Sequence, residues 1–317
     1  MNRLAIGFRP VGRGNAPRHT PKRRSTAAVQ DASRTTGQGR DSGAFELREV
    51  LECVAAAALW GQSPLALRDS GLLRCSVRLS IVIPAFNEEL LLGRCLAGLA
   101  ESALELRHRG VDHEVIVCDN NSTDRTVEIA RAGGAQVVFE PINQISRARN
   151  RGAAAAHGDW LLFLDADSFP AAGLLADLGG AIGDRRILGG GATVRLDGHA
   201  GTATLVVAGW NLISRVTRWA PGGFLFCETA AFRELGGFSE EMFVSEELDL
   251  SRRMKRLARP QGRRLVILHR HPLVTSARKI GLYSRREQLR FALSFLRSPR
   301  RVIRDPKLCP IWYDGRR

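Results

Sequence analysis

Apolar residues in the middle of the chain come in short continuous runs. In Trp160-Leu161-Leu162-Phe163-Leu164, five apolar residues lie between Gly158 and Asp165-Ala166-Asp167. A run this short, with no polar alternate positions, predicts a strand buried on both faces of a sheet rather than a helix. Similar runs predict earlier strands at 78–83, 114–118 and 136–139. Helical patterns intervene at about 87–108, through Arg131 after a turn at 119–124 with a Ser or Thr N-cap, and at 144–157. Beyond Pro170 the pattern predicts a helix to Ile182, a strand at 187–196 and a helix at about 201–219. An apolar strand or loop at 222–227 follows, then a short helix before Gly236-Gly237-Phe238. A helix through 246–257 precedes a last strand at 264–268. This alternation predicts an α/β fold, a mostly parallel sheet with helices on both faces.

The strands run into Pro84, Asp119, Glu140 and Asp165. In open α/β sheets the ligand crevice lies outside the carboxyl ends of the strands, so these ends converge on one rim. Asp165 and Asp167, two apart around a turn, can present hard oxygen ligands that suit Mg²⁺ or Mn²⁺ carrying a substrate phosphate. The same Asp-x-Asp-Ser-x-Pro is also good turn chemistry, and the motif alone leaves both readings open.

Charge adds an asymmetry. The 317 residues carry a formal net charge of +15. Residues 1–76 hold 12 Lys/Arg against 6 Asp/Glu, 77–251 hold 15 against 23, and 252–317 hold 20 against 3. An acidic centre thus carries a basic tail, which attracts an anionic membrane surface or a phosphorylated substrate. The basic ends have few aromatics for base stacking, so no nucleic acid partner is expected. Residues 1–43 have a disordered composition with an Arg- and Ser-rich start similar to a transit peptide, and 44–60 read as helical. The organisation expected is a basic, largely disordered extension at 1–76, a folded domain at 77–270 and a basic helical segment at 271–317. In that segment 280–297 shows no clean amphipathic stripe. Six scattered cysteines without a Cys-x-x-Cys pair suggest neither zinc nor a disulfide framework, and Cys95 and Cys118 read as small core residues. No stretch approaches a membrane span. A cytoplasmic protein is expected, with peripheral attachment to the cytoplasmic membrane face resting on charge alone.

Four signals occur in order: Ile81-Val82-Ile83-Pro84-Ala85-Phe86-Asn87-Glu88-Glu89, Cys118-Asp119-Asn120-Asn121-Ser122-Thr123-Asp124, Asp165-Ala166-Asp167, and Gly236-Gly237-Phe238 followed by Glu246-Glu247-Leu248-Asp249. Together, over about 78–257, they resemble the family 2 glycosyltransferases of the GT-A fold. The resemblance implies an inverting, metal-dependent transfer of sugar from a UDP- or GDP-sugar to a cell-surface glycan, lipid or small molecule. It implies Asp167 as principal ligand of Mg²⁺ or Mn²⁺, Asp165 on the metal or the ribose, and Asp119 on the nucleobase, with Pro84 and Glu88 lining the nucleoside pocket. His271, in His269-Arg270-His271-Pro272 after the last strand, matches a third metal ligand found in some GT-A enzymes. Arg147 and Arg149 suit a diphosphate, because guanidinium forks bind phosphate bidentately, and they suit a solvated helix face equally well. Arg278 can close over the diphosphate or face water.

Two positions depart from the family pattern. Asn120 stands where a second Asp is usual. Glu247 stands at the position of the usual Asp base, and its extra methylene brings Glu246 or Asp249 into consideration as well. First-turn acids are also favoured by the helix dipole, so these three have a purely structural reading. Rival functions are a polyprenyl-phosphate sugar transferase and a catalytically weak nucleotide-sugar-binding protein.

Overall fold

A computed structural model describes residues 77–198, 201–278 and 298–309, with scattered positions between 282 and 297. The expectations for 1–76 and for the helix at 280–297 lie outside the fully described stretches.

The elements alternate in chain order. They are β1 (Val77–Ala85), α1 (Leu92–Ser102), α2 (Leu104–His108), β2 (Val111–Asp119), α3 (Thr126–Ala132), β3 (Gln136–Phe139), α4 (Ile145–Ala154), β4 (Trp160–Leu164) and β5 (Ser168–Phe169). Then come α5 (Ala172–Gly183), β6 (Ile187–Leu196), α6 (Thr202–Thr217), β7 (Phe224–Glu228), α7 (Thr229–Glu234), α8 (Glu246–Ala258), β8 (Arg264–Thr275) and α9 (Pro299–Arg304). One eight-stranded sheet has the order β3-β2-β1-β4-β7-β6-β8-β5. Pairs β1/β2, β1/β4, β2/β3 and β6/β8 are parallel, whereas β7 runs antiparallel to β4 and β6, and β5 to β8.

The continuous apolar runs have the physical cause expected of them. Along β4, Trp160, Leu162 and Leu164 enter one core with α1, α2 and α5, while Leu161 and Phe163 enter a second core with α7 and α8. Strand side chains alternate between faces, so a sheet covered on both sides needs an apolar residue at every position. Each such Leu or Phe contributes about 1.5–3 kcal/mol by leaving water. Phe163 also stacks on Phe232 and Phe238, with ring centroids at 5.2 Å and 4.9 Å. Glycine occupies the middle of β6 because the backbones crowd there. A Cβ on Gly190 would stand 1.9 Å from the Val266 carbonyl oxygen.

Three local expectations differ. The helix expected from residue 87 starts only at Leu92, because Asn87 is left-handed (φ 52) and its backbone N–H donates to Ser122 Oγ at 3.0 Å. A turn from β1 to the β2 loop replaces the first helical turn. The helix at Thr126 has no side-chain N-cap; Asp124 accepts from the Thr126 N–H instead, at 3.0 Å. The last strand does not stop at 268. It continues through His269-Arg270-His271-Pro272 to Thr275, paired with β6 across an irregularity between Ala192 and Val194, and so passes the point at 271 where a helical tail was expected to begin.

Candidate active site

The order β2-β1-β4 places the carboxyl ends of β1, β2 and β4 side by side, and the antiparallel β7 brings its beginning, Gly222-Gly223-Phe224, to the same rim. The sheet thereby gathers residues far apart in sequence around one crevice.

At the β1 and β2 ends, Pro84 is buried opposite Cys118. Asp119 is buried, and its Oδ1 accepts from the Ser122 N–H at 3.1 Å. Asn120 explains its own departure from Asp. Its amide donates to the carbonyls of Glu140 (3.1 Å) and Ile142 (2.6 Å), and its Oδ1 accepts from the Gln144 N–H (2.9 Å). A carboxylate could accept but not donate, and would set its charge against two carbonyls. Asn120→Asp is therefore expected to lower unfolding free energy by about 1–3 kcal/mol, read by denaturant titration. No change would mean that the amide donors are dispensable. Glu88 is also buried; it accepts from Arg278 Nη2 at 2.6 Å, so the end of β8 is tied to the β1 loop and Arg278 is committed to a protein carboxylate.

At the β4 end the backbone makes the turn and the side chains do something further. The Asp165 carbonyl accepts from the Ser168 N–H at 3.0 Å, and the Asp167 carbonyl accepts from the Ser276 N–H at 3.0 Å. Asp167 is buried. The Asp165 carboxylate lies against Gly223, with Oδ2 3.4 Å from where a Cβ there would stand. Its Oδ1 accepts from Arg149 at 3.0 Å.

Arg149 is the centre of the arrangement. It projects from α4 among the small residues Ser146, Ala148, Gly152 and Ala153 and is 2% exposed. Its Nη1 donates to Glu246 Oε1 at 2.8 Å, and its Nη2 donates to Asp165 Oδ1 and to the Gly222 carbonyl, both at 3.0 Å. The Phe238 ring lies 5.3 Å from the guanidinium carbon. Arg149 thus joins the strand-end carboxylate to the first turn of α8 instead of standing open to a phosphate. Arg147 is likewise engaged, with Glu240 at 3.0 Å and Gln144 Oε1 at 3.1 Å.

The Gly-Gly-Phe turn positions α8. Gly236 and Gly237 have φ of 72° and 73°, a region costly for residues with a Cβ, and a Cβ on Gly237 would also stand 2.7 Å from Asn150 Oδ1. Asn150 takes the Phe238 N–H and carbonyl at 2.9 and 3.0 Å. Ser245 is left-handed (φ 67), and α8 then opens with Glu246 and Glu247 turned to the crevice. Glu247 Oε1 is 3.6 Å from the position of a Cβ on Gly222.

Three carboxylates share one guanidinium. Burial alone would lower the Arg149 pKa, but Asp165, Glu246 and Glu247 outweigh it and raise the net value. Burial and the neighbouring Glu247 push Glu246 up to about 8 despite Arg149. Burial likewise raises Glu247, opposed by Arg149. One positive charge faces three carboxylates, of which Glu246 is buried and Asp165 and Glu247 are half-buried, so near neutral pH the glutamate pair retains a proton.

Two sequence candidates lie apart from this cluster. Asp249 turns to Arg253 (2.7 Å), which in turn holds the Leu235 and Gly237 carbonyls, both at 2.7 Å. His271 contacts Asp177 of α5 at 3.0 Å, with its ring against Gly173. It lies four residues, about 13 Å of extended strand, before Thr275, the residue paired with Ser168. The structure does not bring His271 to Asp165 and Asp167. Among the described residues no group of three or more His, Cys, Asp or Glu side chains could hold a metal by itself. The buried bridge through Arg149 and the Gly222 carbonyl was absent from the sequence reading; its available signal was an arginine on the small-residue face of α4.

A mixed α/β sheet with acidic groups gathered at its strand ends has the GT-A architecture expected from the motifs. Residues 80–204 match the model of glycosyl transferase family 2. A PGL/p-HBAD biosynthesis glycosyltransferase of Mycobacterium bovis is 36% identical over 112 residues, covering 33% of this chain and 41% of the relative. A TPR repeat-containing protein of Synechococcus elongatus is 40% identical over 91 residues, 28% of this chain and 20% of the relative. The chain thus spans less than half the length of these curated relatives. Glucosyl-3-phosphoglycerate synthase from Mycobacterium tuberculosis, crystallised with Mn²⁺, UDP and phosphoglyceric acid, is 23% identical with a TM-score of 0.49, covering 70% of this chain and 79% of that one.

Proposed function

We propose that the chain is an inverting glycosyltransferase that moves a sugar from a UDP- or GDP-sugar to a hydroxyl or phosphate acceptor, with Mg²⁺ or Mn²⁺ at the donor. The observation that carries this reading is the Arg149 bridge, which joins Asp165, beside the strand-end acids, to Glu246, beside the proposed base. A donor-binding half and an acceptor-activating half then face each other across Gly222 and Gly223.

Glu247 accepts the proton of the acceptor hydroxyl as its oxygen attacks the anomeric carbon. The bond from that carbon to the diphosphate oxygen breaks, the electron pair leaves with the nucleoside diphosphate, and a single displacement inverts the configuration. Glu246 keeps the shared proton and directs it to Glu247, as a positioning residue. Asp119, Glu88 and Pro84 line the nucleoside end. Asp165 and Asp167 fit a hard divalent ion, which commonly takes one or two protein carboxylates and completes its shell with substrate phosphate and water. When bound, the ion supplies charge neutralisation on the departing diphosphate.

The test is a panel of UDP- and GDP-sugars with Mn²⁺, reading released nucleotide and, by calorimetry, donor binding. Metal-dependent turnover with one donor is expected; absence of both turnover and binding across the panel overturns the transferase reading. Asp167→Asn is expected to weaken metal-dependent donor binding by at least about tenfold, since it removes a charge from a two-carboxylate site. Unchanged affinity would remove Asp167 from the metal.

A further inference from the structure

Helix α6 has apolar residues on both sides, and one of those sides faces out of the protein. On its inward side, Asn211 clamps the Val194 N–H and carbonyl at 2.9 and 2.8 Å, and the buried Ser214 donates to the Trp219 carbonyl at 2.6 Å. On its outward side, Leu205, Val206, Leu212 and Val216 are 74%, 71%, 63% and 76% exposed, with Ile213 at 47%. At 100° per residue these five fall within an arc of about 120°. A surface helix ordinarily buries that arc, and a contiguous exposed apolar patch marks an interaction site.

Charge selects the occupant. No Asp or Glu occurs from 198 to 227. A shallow groove of about 430 Å³ beside the patch joins apolar Leu212, Val216 and Val266 to basic Arg215, Arg218 and Arg264. Acyl chains match the apolar side and lipid phosphates match the guanidiniums. A second copy of the chain, docked patch to patch, would instead set these arginines against themselves.

We propose that α6 lies in the plane of an anionic lipid bilayer as an interfacial helix, its apolar arc in the headgroup–acyl boundary. No helix among the described residues is long and apolar enough to cross a membrane, so α6 lies on the surface. Its C-terminus leads through Trp219-Ala220-Pro221 directly to Gly222, whose carbonyl holds Arg149. A hydroxyl or phosphate on a membrane lipid is then delivered beside Glu247. This assignment of the acceptor class rests on the transferase reading; the docking surface itself does not.

The test is flotation of the full chain with phosphatidylglycerol-containing vesicles and with phosphatidylcholine vesicles, read without donor or metal. Wild-type protein is expected to float with the anionic vesicles and less so as salt rises. Combining Leu205→Ser, Val206→Ser, Leu212→Ser and Val216→Ser should reduce partitioning at least tenfold without moving the melting temperature, because all four side chains face outward. Arg215→Gln with Arg218→Gln, which leaves the apolar arc intact, should weaken binding to anionic vesicles and flatten its salt dependence. Equal flotation by wild type and both variants would assign binding to another segment and overturn the proposal. So would failure of the wild type to float, or a solution dimer that the four-serine variant dissolves. Failure of the donor panel with flotation intact would overturn the transferase reading and leave the membrane surface standing.

Discussion

Glu247→Gln is expected to lower the transfer rate by about 10²–10⁴-fold while donor affinity stays within a few-fold of wild type. The substitution preserves size and hydrogen bonding but removes the group that accepts the acceptor proton. Full retained turnover, read as nucleotide released with the acceptor present, would move the base elsewhere. The pH profile adds a second reading. Burial raises Glu247 above the usual carboxylate range, so the ionised base is lost, and the rate with it, as pH falls from neutral into the acid range. Glu246, pushed up to about 8, is protonated below that value and donates to Glu247. Above it both are charged, the orienting hydrogen bond is gone, and the rate is expected to fall again. In Glu246→Gln an amide donor replaces that proton permanently, so the acid limb should remain and the alkaline limb disappear. An alkaline limb that persists in this variant would break the assignment to Glu246.

Arg149→Met should produce the largest loss of stability. Arg149 is fully buried, and its removal leaves Asp165 and the ionised member of the glutamate pair without a counter-charge, and the Glu246 and Gly222 oxygens without their donor. Breaking a buried ion pair from one side costs about 3–5 kcal/mol, because the orphaned charge stays in a low-dielectric site. In a domain of this size that corresponds to a melting shift on the order of 10 °C. Arg149→Lys should recover part of it, since an ammonium keeps the charge but cannot hold three acceptors in a planar fork. If Arg149→Met unfolds within 1 kcal/mol of wild type, the bridge holds nothing together. Retained proton uptake by the glutamate pair in that variant would show the remaining charges balancing themselves by protonation.

Much of the fold was legible because it is encoded locally. The doubly buried β4 coincides with its apolar run, since alternation between two covered faces leaves a signature within five residues, and the strands at 136–139 and 187–196 also stand where their local pattern puts them. The C-terminus of β8 was not legible. His269-Arg270-His271-Pro272 reads as a loop, and only pairing with β6 and β5 keeps it extended. That pairing carries His271 to Asp177 and away from Asp167. Asn120 reads as a defect in an acidic motif until the carbonyls of Glu140 and Ile142 are in view.

By itself, the sequence determined the α/β alternation, the doubly buried central strand and the delivery of Asp119, Asp165 and Asp167 to strand ends, because backbone periodicity and chain order dictate these. The tertiary structure alone decided what each charge faces and which side of a helix is inside. Arg149 and Glu246 meet across 97 positions of sequence. The apolar arc of α6 is visible in its periodicity, but periodicity states only that a helix has two faces. The contacts of Asn211 with β6 and of Ser214 with the turn at Trp219 are what leave Leu205, Val206, Leu212 and Val216 facing outward.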